Sequence, residues 1–275
     1  MLNQNVDFDA FSASIEGSEL GFIAHLRQQI DLSSQRNIRP RNGYHYGAEI
    51  HRGDNKFCDI LWGADHGSIL VQAMGEHSSL IRSLTLGYVQ SHRLLCSPTR
   101  IDARVDWDDE GLFDRISALF LDFATDRGLK INQLGNWHEG KERTLYIGSR
   151  QSQLMVRLYE KGWQVGGSPN WIRFETEVKP KKQEQRQAVL TRSASEVLYT
   201  GWAGEFLETL GFIGSVKTIL PSMYQPSDDA RARRALVKQY GRVISNWKHE
   251  LGTWDELGKQ IETEYAEQKE LCHAS

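Results

Sequence analysis

The sequence predicts an α+β fold followed by a helical C-terminal part, and three observations carry that prediction. Three strand-like stretches arrive in quick succession: RTLYIGS (143–149), QLMVRLYEKGWQ (153–164) and WIRFETEVK (171–179). A strongly periodic helix at 109–127 precedes them, and from about residue 182 the pattern is helical to the end. The connectors RQS and GGSPN are short and turn-rich, which favours antiparallel pairing of neighbouring strands.

Taken in order, residues 16–30 read as an amphipathic helix, with Leu20, Phe22, Ile23, Leu26 and Ile30 apolar. NIRPRNGYHYG (37–47) follows as a Pro/Gly loop rich in arginines and aromatics, then strands near 46–52, 57–63 and 68–74. A helix near 78–87 precedes the strand RIDARVDW (100–107). Within 109–127, Leu112, Phe113, Ile116, Leu119, Phe120 and Phe123 recur at helical spacing, and Gly128 sits where a C-terminal glycine is favoured. LPSMYQPSDD (220–229) reads as a linker, with Asp228 or Asp229 placed to cap a helix from 230. No internal repeat is visible. The expected division is an N-terminal helical segment (1–36), an α+β domain (37–181) and a helical region (182–275).

Composition bounds the function classes. A net charge of −3 does not advertise nucleic-acid binding, although a local basic face can bind while the rest stays acidic. Cys58, Cys96 and Cys272 lie far apart with no CxxC spacing, which fits a reducing compartment without a disulfide framework or structural zinc. No apolar signal region opens the chain, and no run approaches the roughly 20 apolar residues that span a bilayer. The expectation is a soluble cytoplasmic protein without a membrane partner. The nine histidines form no His-x-His or HExxH pattern, which disfavours a histidine metal site. Walker A, GxGxxG and GxSxG motifs are absent, so ATP hydrolysis, dinucleotide binding and serine hydrolase chemistry lack support.

The chemistry-bearing residues cluster on strands. In MVRLYEKGWQ (155–164), Arg157, Tyr159 and Lys161 share a face if the strand runs through all three. Asp102 and Asp106 share a face with Arg104 between them, and Glu175 and Glu177 share one with Arg173. A hairpin symmetric about residue 167 sets Tyr159 opposite Glu175 and Arg157 opposite Glu177. One surface then presents a phenol, cations and carboxylates, the oxygen ligands a hard divalent cation such as Mg²⁺ or Mn²⁺ prefers. A free phenol has a pKa of about 10, and Arg157 and Lys161 would favour its ionised form. A metal on the carboxylates would orient a phosphodiester. These are the parts for tyrosine attack on DNA, leaving a phosphotyrosine and a free 3′-OH. The plainer reading of either acidic strand alone is a solvent-facing strand with ordinary charges.

Two further stretches suit nucleic acid. In YIGSR (146–150), Gly148 permits close backbone approach, and Ser149 and Arg150 are placed to hold a phosphate; the alternative is a strand ending in a turn or bulge. The loop RPRNGYHYG sets Arg39 and Arg41 beside Tyr44, His45 and Tyr46, which suits a single strand but also describes a plain surface loop. RARRALVKQYGR (231–242) carries a basic side, either a duplex contact or a solvated helix face.

TRIDARVDW (99–107), TLYIGSRQSQLMVRLYEKG (144–162) and WIRFETEVK (171–179) stand in the order and spacing of the replication initiation factor family. This family comprises the "Rep-trans" initiators of rolling-circle plasmids and filamentous phages, with related relaxases of conjugative elements. IRPRNGYHYG also resembles the family's entry to the domain, so the resemblance covers roughly residues 35–180. It implies a central antiparallel sheet flanked by helices, related to the RRM-like nucleases. It also implies one catalytic tyrosine per subunit, by position Tyr159. The family's metal-site strands match at Asp102 or Asp106 and at Glu175 or Glu177, and its basic positions at Arg157, Lys161, Arg150 and Arg173. The His-hydrophobe-His metal motif of other rolling-circle initiators is missing from the family and from this chain.

The implied function is metal-dependent nicking and closing of origin DNA, single-stranded or hairpin-extruded, to start rolling-circle replication. A host helicase is the expected partner, and a homodimer would supply the second cleavage that termination needs. The alternatives are a relaxase mobilising an integrative conjugative element and a non-catalytic DNA-binding or copy-control protein. A tyrosine recombinase is disfavoured, because no HxxR pattern accompanies the tyrosine.

Overall fold

The computed structural model describes residues 6–211 and 228–273. Two compact units are distinguished, 1–223 and 224–275. The first unit runs β1 (Asp7–Glu16), α1 (Glu19–Gln29), β2 (Ser34–Asn37), β3 (Tyr46–Arg52), β4 (Asn55–Trp62), β5 (Ser68–Met74) and α2 (Ser78–His92). It continues with β6 (Cys96–Asp108), α3 (Leu112–Asp126), β7 (Ile131–Asn136), β8 (Lys141–Ile147), β9 (Leu154–Tyr159), α4 (Lys161–Val165) and β10 (Trp171–Val178). Helices α5 (Gln183–Thr191), α6 (Ala194–Leu198) and α7 (Trp202–Thr209) follow among its described residues.

The described strands form one sheet of ten, in the order β2-β3-β4-β5-β1-β6-β10-β9-β8-β7. Every neighbouring pair is antiparallel. Its topology repeats. A long strand, a helix, a four-strand meander and a second helix occur as β1-α1-β2…β5-α2 and again as β6-α3-β7…β10-α5, with α4 inset in the second copy. In each half the last meander strand returns beside the first: β5 pairs with β1 and β10 with β6, while β1 and β6 pair at the centre. The sequence shows no such repeat. Strand alternation and connector length fix a topology, and many unrelated sequences satisfy both.

The central strands separate apolar from polar side chains. Phe11, Ala13 and Ile15 of β1, Ile101, Ala103, Val105 and Trp107 of β6, and Ile172, Phe174 and Val178 of β10 are buried in one core with the helices. Helix α3 adds Phe113, Ile116 and Phe120, and the Phe120 ring stacks on Phe206 of α7 with centroids 4.0 Å apart. Burying one such side chain contributes about 1.5–3 kcal/mol. The expected stop of α3 holds: Gly128 has a φ of 59° and its N–H donates to the Thr125 carbonyl at 3.0 Å.

Several expectations need correction. The helix expected at 16–30 is α1, capped by Ser18, whose hydroxyl accepts from Gly21 N–H at 3.1 Å. The other described residues up to 36 are not helical: β1 sits at the centre of the sheet and β2 at one edge. β7, the other edge, was not legible because INQLGN is almost wholly exposed and carries no apolar alternation. The helical part does not begin a separate body at 182, since α5 and α6 pack on β6. The second unit contains α8 (Asp228–Leu251) and α9 (Trp254–His273). A reciprocal cap opens α9: Glu256 N–H donates to Thr253 Oγ1 at 3.2 Å and Thr253 N–H to Glu256 Oε2 at 3.1 Å. Residues 220–227 of the expected linker lie outside the described residues, and the basic stretch 231–242 lies on α8. No helix among the described residues is long and apolar enough to cross a membrane.

Candidate active site and nucleic-acid interface

The sheet face away from the core helices carries the charged residues. Strand pairing sets Arg157 opposite Glu175, Tyr159 opposite Arg173 and Met155 opposite Glu177. This differs by two residues from a hairpin symmetric about 167. The reason is α4, which extends the connection and ends on Gly166 in the left-handed region, with a φ of 68°. A slip of two preserves the face, so the predicted surface survives with different partners. Lys161 no longer belongs to the strand: it opens α4, and its Nζ donates to Gln164 at 2.7 Å. Gly162 makes the inset possible, because a Cβ there would lie 1.6 Å from the Ser168 carbonyl oxygen.

Two ion-pair networks cover this face. In the first, Arg100 pairs with Asp102 and, at 2.9 Å, with Glu177; Lys179 also reaches Glu177, at 2.5 Å. Arg157 joins Glu175 to Asp102, the latter at 3.2 Å. In the second, Arg173 grips Asp106 through Nε and Nη2 at 2.6 and 2.9 Å and reaches Asp9 at 2.7 Å. Arg104 adds contacts to Asp106 at 2.5 Å and Asp9 at 3.2 Å. Such pairs withstand desolvation only when the charges are matched, and removing one partner leaves a buried charge. Burial works against the Arg157 and Arg173 cations, but their carboxylate partners hold both pKa values above the ordinary range.

Tyr159 lies between the networks. Half-buried at the end of β9, it donates its hydroxyl to Glu175 Oε2 at 3.5 Å. Its pKa is raised, chiefly by burial and then by the Glu175 charge, with Arg173 and Arg157 pulling the other way. The expected pull of Arg157 toward the phenolate is present but outweighed by burial and the Glu175 charge, and Lys161 is not among the groups that shift Tyr159. Arg157 is engaged by Glu175 and Asp102, and the Lys161 Nζ stands 5.9 Å from the Tyr159 ring centroid. Glu175 itself is pushed well above the usual carboxylate range by burial and by Asp102 and Asp9, against the pull of Arg157. Lys161 is lowered by burial and by the Arg173 charge.

The fit of a divalent cation follows from the same geometry. Asp102, Glu175 and Glu177 face Arg100, Arg157 and Lys179, while Asp106 belongs with Asp9 to the other network. Among the described residues no three His, Cys, Asp or Glu side chains form a group that could hold a metal ion. The carboxylates as arranged do not fit Mg²⁺ or Mn²⁺, because an arginine or lysine occupies the place next to each.

Three clefts open on this face. One of about 390 Å³ is lined by Thr144, Tyr146, Arg157, Tyr159, Glu160 and Trp163. Its neighbour, of about 380 Å³, shares Tyr146 and adds Lys130, Asn132, Ser149 and Arg150. The third, about 480 Å³, lies in the other half, with Ser12, Arg41, Lys56, Asp59, Gln72 and Arg100 in its walls. Ser149 and Arg150 line the cleft next to the one that Tyr159 lines. Arg41 is remote, reaching Asp59 at 2.5 Å and Gln72 at 3.0 Å. From β4 to β9 is five strand spacings, roughly 24 Å. Arg39 is exposed nearby in sequence. Tyr44 is corrected: it is buried with Leu61, Ala64 and Leu70, so its ring packs rather than stacks on a base.

Sequence reasoning missed Asp9, Arg100 and Glu160. Asp9 falls at a bulge between Phe8 and Ala10, where alternation fails as a guide. Arg100 was readable, being two residues before Asp102 on the same strand. Glu160 is buried against Arg143, which also lies over the Phe113 ring.

Residues 120–209 match the family described as replication initiation factor. The match takes in β8, β9 and β10, with Tyr159, Glu175 and Arg173, and leaves TRIDARVDW outside. The fold is similar to that of the rolling circle replication initiator protein from Geobacillus stearothermophilus, with a TM-score of 0.53 and 19% identity. That likeness covers 72% of this chain and 83% of that one. An unknown protein from Galdieria sulphuraria aligns over 74% of this chain and 95% of its own at 14% identity. The TM-score of that alignment is 0.15. No curated protein matches the chain. Across residues 120–209 the chain thus carries the sequence pattern of the replication initiation factors, on a fold shared with a rolling-circle initiator.

Proposed function

We propose that this protein initiates rolling-circle replication by nicking and closing origin DNA, with Tyr159 as the nucleophile. One observation carries the reading: the Tyr159 hydroxyl meets Glu175 at the edge of an open cleft on an arginine-lined sheet face. Glu175 takes the phenol proton as the Tyr159 oxygen attacks phosphorus. Its raised pKa makes it a stronger base than an ordinary carboxylate once ionised. The P–O3′ bond breaks, the phosphate becomes a 5′-phosphotyrosine, and Lys161, whose lowered pKa eases proton release, protonates the departing 3′ oxygen. Arg157, in the wall of the same cleft, faces a nonbridging oxygen, and Arg173 contributes its charge from beneath. The reverse sequence closes the strand. Arginine and lysine already match the carboxylates of this face.

The test is incubation with supercoiled plasmid bearing the cognate origin. Wild type gives relaxed or nicked product with protein attached through Tyr159, and Tyr159→Phe binds the plasmid without forming an adduct. Nicking by Tyr159→Phe at the wild-type rate overturns the reading.

A further inference from the structure

The cleft beside the tyrosine has a feature the other two lack: its walls carry two cations, Lys130 and Arg150, and no carboxylate. Its floor is held in place. Gly148 adopts a φ of 91°, and a Cβ there would lie 2.9 Å from the Leu154 carbonyl oxygen, so glycine lets the 148–150 turn approach β9. Lys179, already paired with Glu177, donates to the Arg150 carbonyl at 2.8 Å, and Ser152 Oγ donates to the Ser149 carbonyl at 2.6 Å. The turn is therefore tied to the charge network beneath Tyr159. Tyr146 is the ridge between the two clefts and lines both. It stands opposite Arg157, while Tyr159 stands opposite Thr144, so the two tyrosines are diagonal neighbours about 7–8 Å apart at Cα. The Arg150 guanidinium lies 5.7 Å from the Tyr146 ring centroid.

We infer that this second cleft is a nucleotide subsite: Lys130 and Arg150 hold the phosphodiester next to the one at Tyr159, and the intervening base stacks on Tyr146. The inference rests on the proposed nicking reading for its biological meaning, but not for its chemistry. An anion is favoured where cations face no carboxylate. A half-buried phenol beside a guanidinium gives a base a flat face, and neither contact depends on which base is present. Tyr146 acts here as a positioning residue, separating two successive nucleotides so that one phosphate lies at Tyr159.

The test uses a fluorescein-labelled oligo-dT strand and the full chain, with affinity read by anisotropy across a salt series. Tyr146→Ala weakens binding roughly 5- to 100-fold, the loss of one stacked base, and Tyr146→Phe recovers most of that loss. The Lys130→Ala/Arg150→Ala double variant lowers the slope of log affinity against log salt by about 0.7 for the single phosphate given up. Lys130 and Arg150 are exposed, so these changes leave the core intact. An unchanged salt slope in the double variant overturns the subsite. So does a Tyr146→Phe variant as weak as Tyr146→Ala, which would make the hydroxyl rather than the ring the working part. Binding is read without cleavage, so failure of Tyr159 as nucleophile and failure of this subsite are separate results.

Discussion

The two halves of the sheet share one topology and differ at matching positions. In the second half Arg157 stands opposite Glu175, and two residues on Tyr159 stands opposite Arg173. In the first, Asp59 stands opposite Gln72, and two residues on Leu61 stands opposite Leu70. The place of the phenol and its cation is thus taken by two leucines, which Tyr44 and Ala64 seal into a small apolar cluster. The connection after β9 is the α4 inset with Lys161 and Trp163, whereas β4 and β5 are joined by a loop over 63–67. The scaffold offers two equivalent places, and side chains equip one for chemistry. Burial differs in the cation rather than the carboxylate: Arg157, with its side chain 22% exposed, meets carboxylates that are nearly inaccessible, while Arg41, 42% exposed, meets an Asp59 that is itself only 5% exposed.

The largest expected effect that would break this contrast is at Tyr159: Tyr159→Phe abolishes the covalent adduct, and Leu61→Ala leaves adduct formation per folded molecule intact. Denaturing electrophoresis of labelled DNA measures both. Next comes stability. Arg157→Met leaves Glu175 and Asp102 facing each other without their shared cation and costs about 3–5 kcal/mol, a drop in Tm of roughly 6–20 °C in calorimetry. Arg41→Met costs less, because the buried Asp59 keeps its pair with Lys56 at 2.8 Å.

Acidity gives a third contrast. Glu175 has a folded pKa above its unfolded value, so the stability its protonated form contributes is complete below the ordinary glutamate value of about 4.3. That contribution is lost as pH rises through the elevated folded value. Glu175→Gln flattens this fall in urea titrations run across pH. Catalysis runs the other way on that limb: adduct formation rises with pH as Glu175 ionises and declines as Lys161 loses its proton below the usual lysine value. Lys161→Met removes the alkaline decline. The smallest effect is Arg41→Ala, which weakens single-strand binding a few-fold and leaves single-turnover nicking at saturating DNA untouched.

Much of this site was legible because a strand has a period of two. Asp102 with Asp106, Glu175 with Glu177, and Arg157 with Tyr159 were each assigned to a shared face, and that survives any even slip in register. What a period cannot supply is the partner. The α4 inset shifted the pairing by two, and Gly166 in the left-handed region was readable only as part of a turn. Asp9 stayed hidden because a bulge breaks the alternation, and β1 because DFDAFSASIE carries serines and aspartates where a central strand usually shows apolar residues. Tyr44 misled for a related reason: an aromatic among arginines suits DNA, but Leu61 and Leu70, distant in sequence, cover it.

The central position of β1 has a consequence for how the chain is made. All five strands of the first half lie within the first 74 residues, so that half can close its meander before β6 leaves the ribosome. During that interval β1 presents an unpaired edge, with its backbone amides and carbonyls open to any passing strand. β6 supplies the partner for that edge, pairing along Asp7–Ile15. Slowing synthesis between residues 75 and 108 prolongs that exposure, and yield of soluble protein falls accordingly.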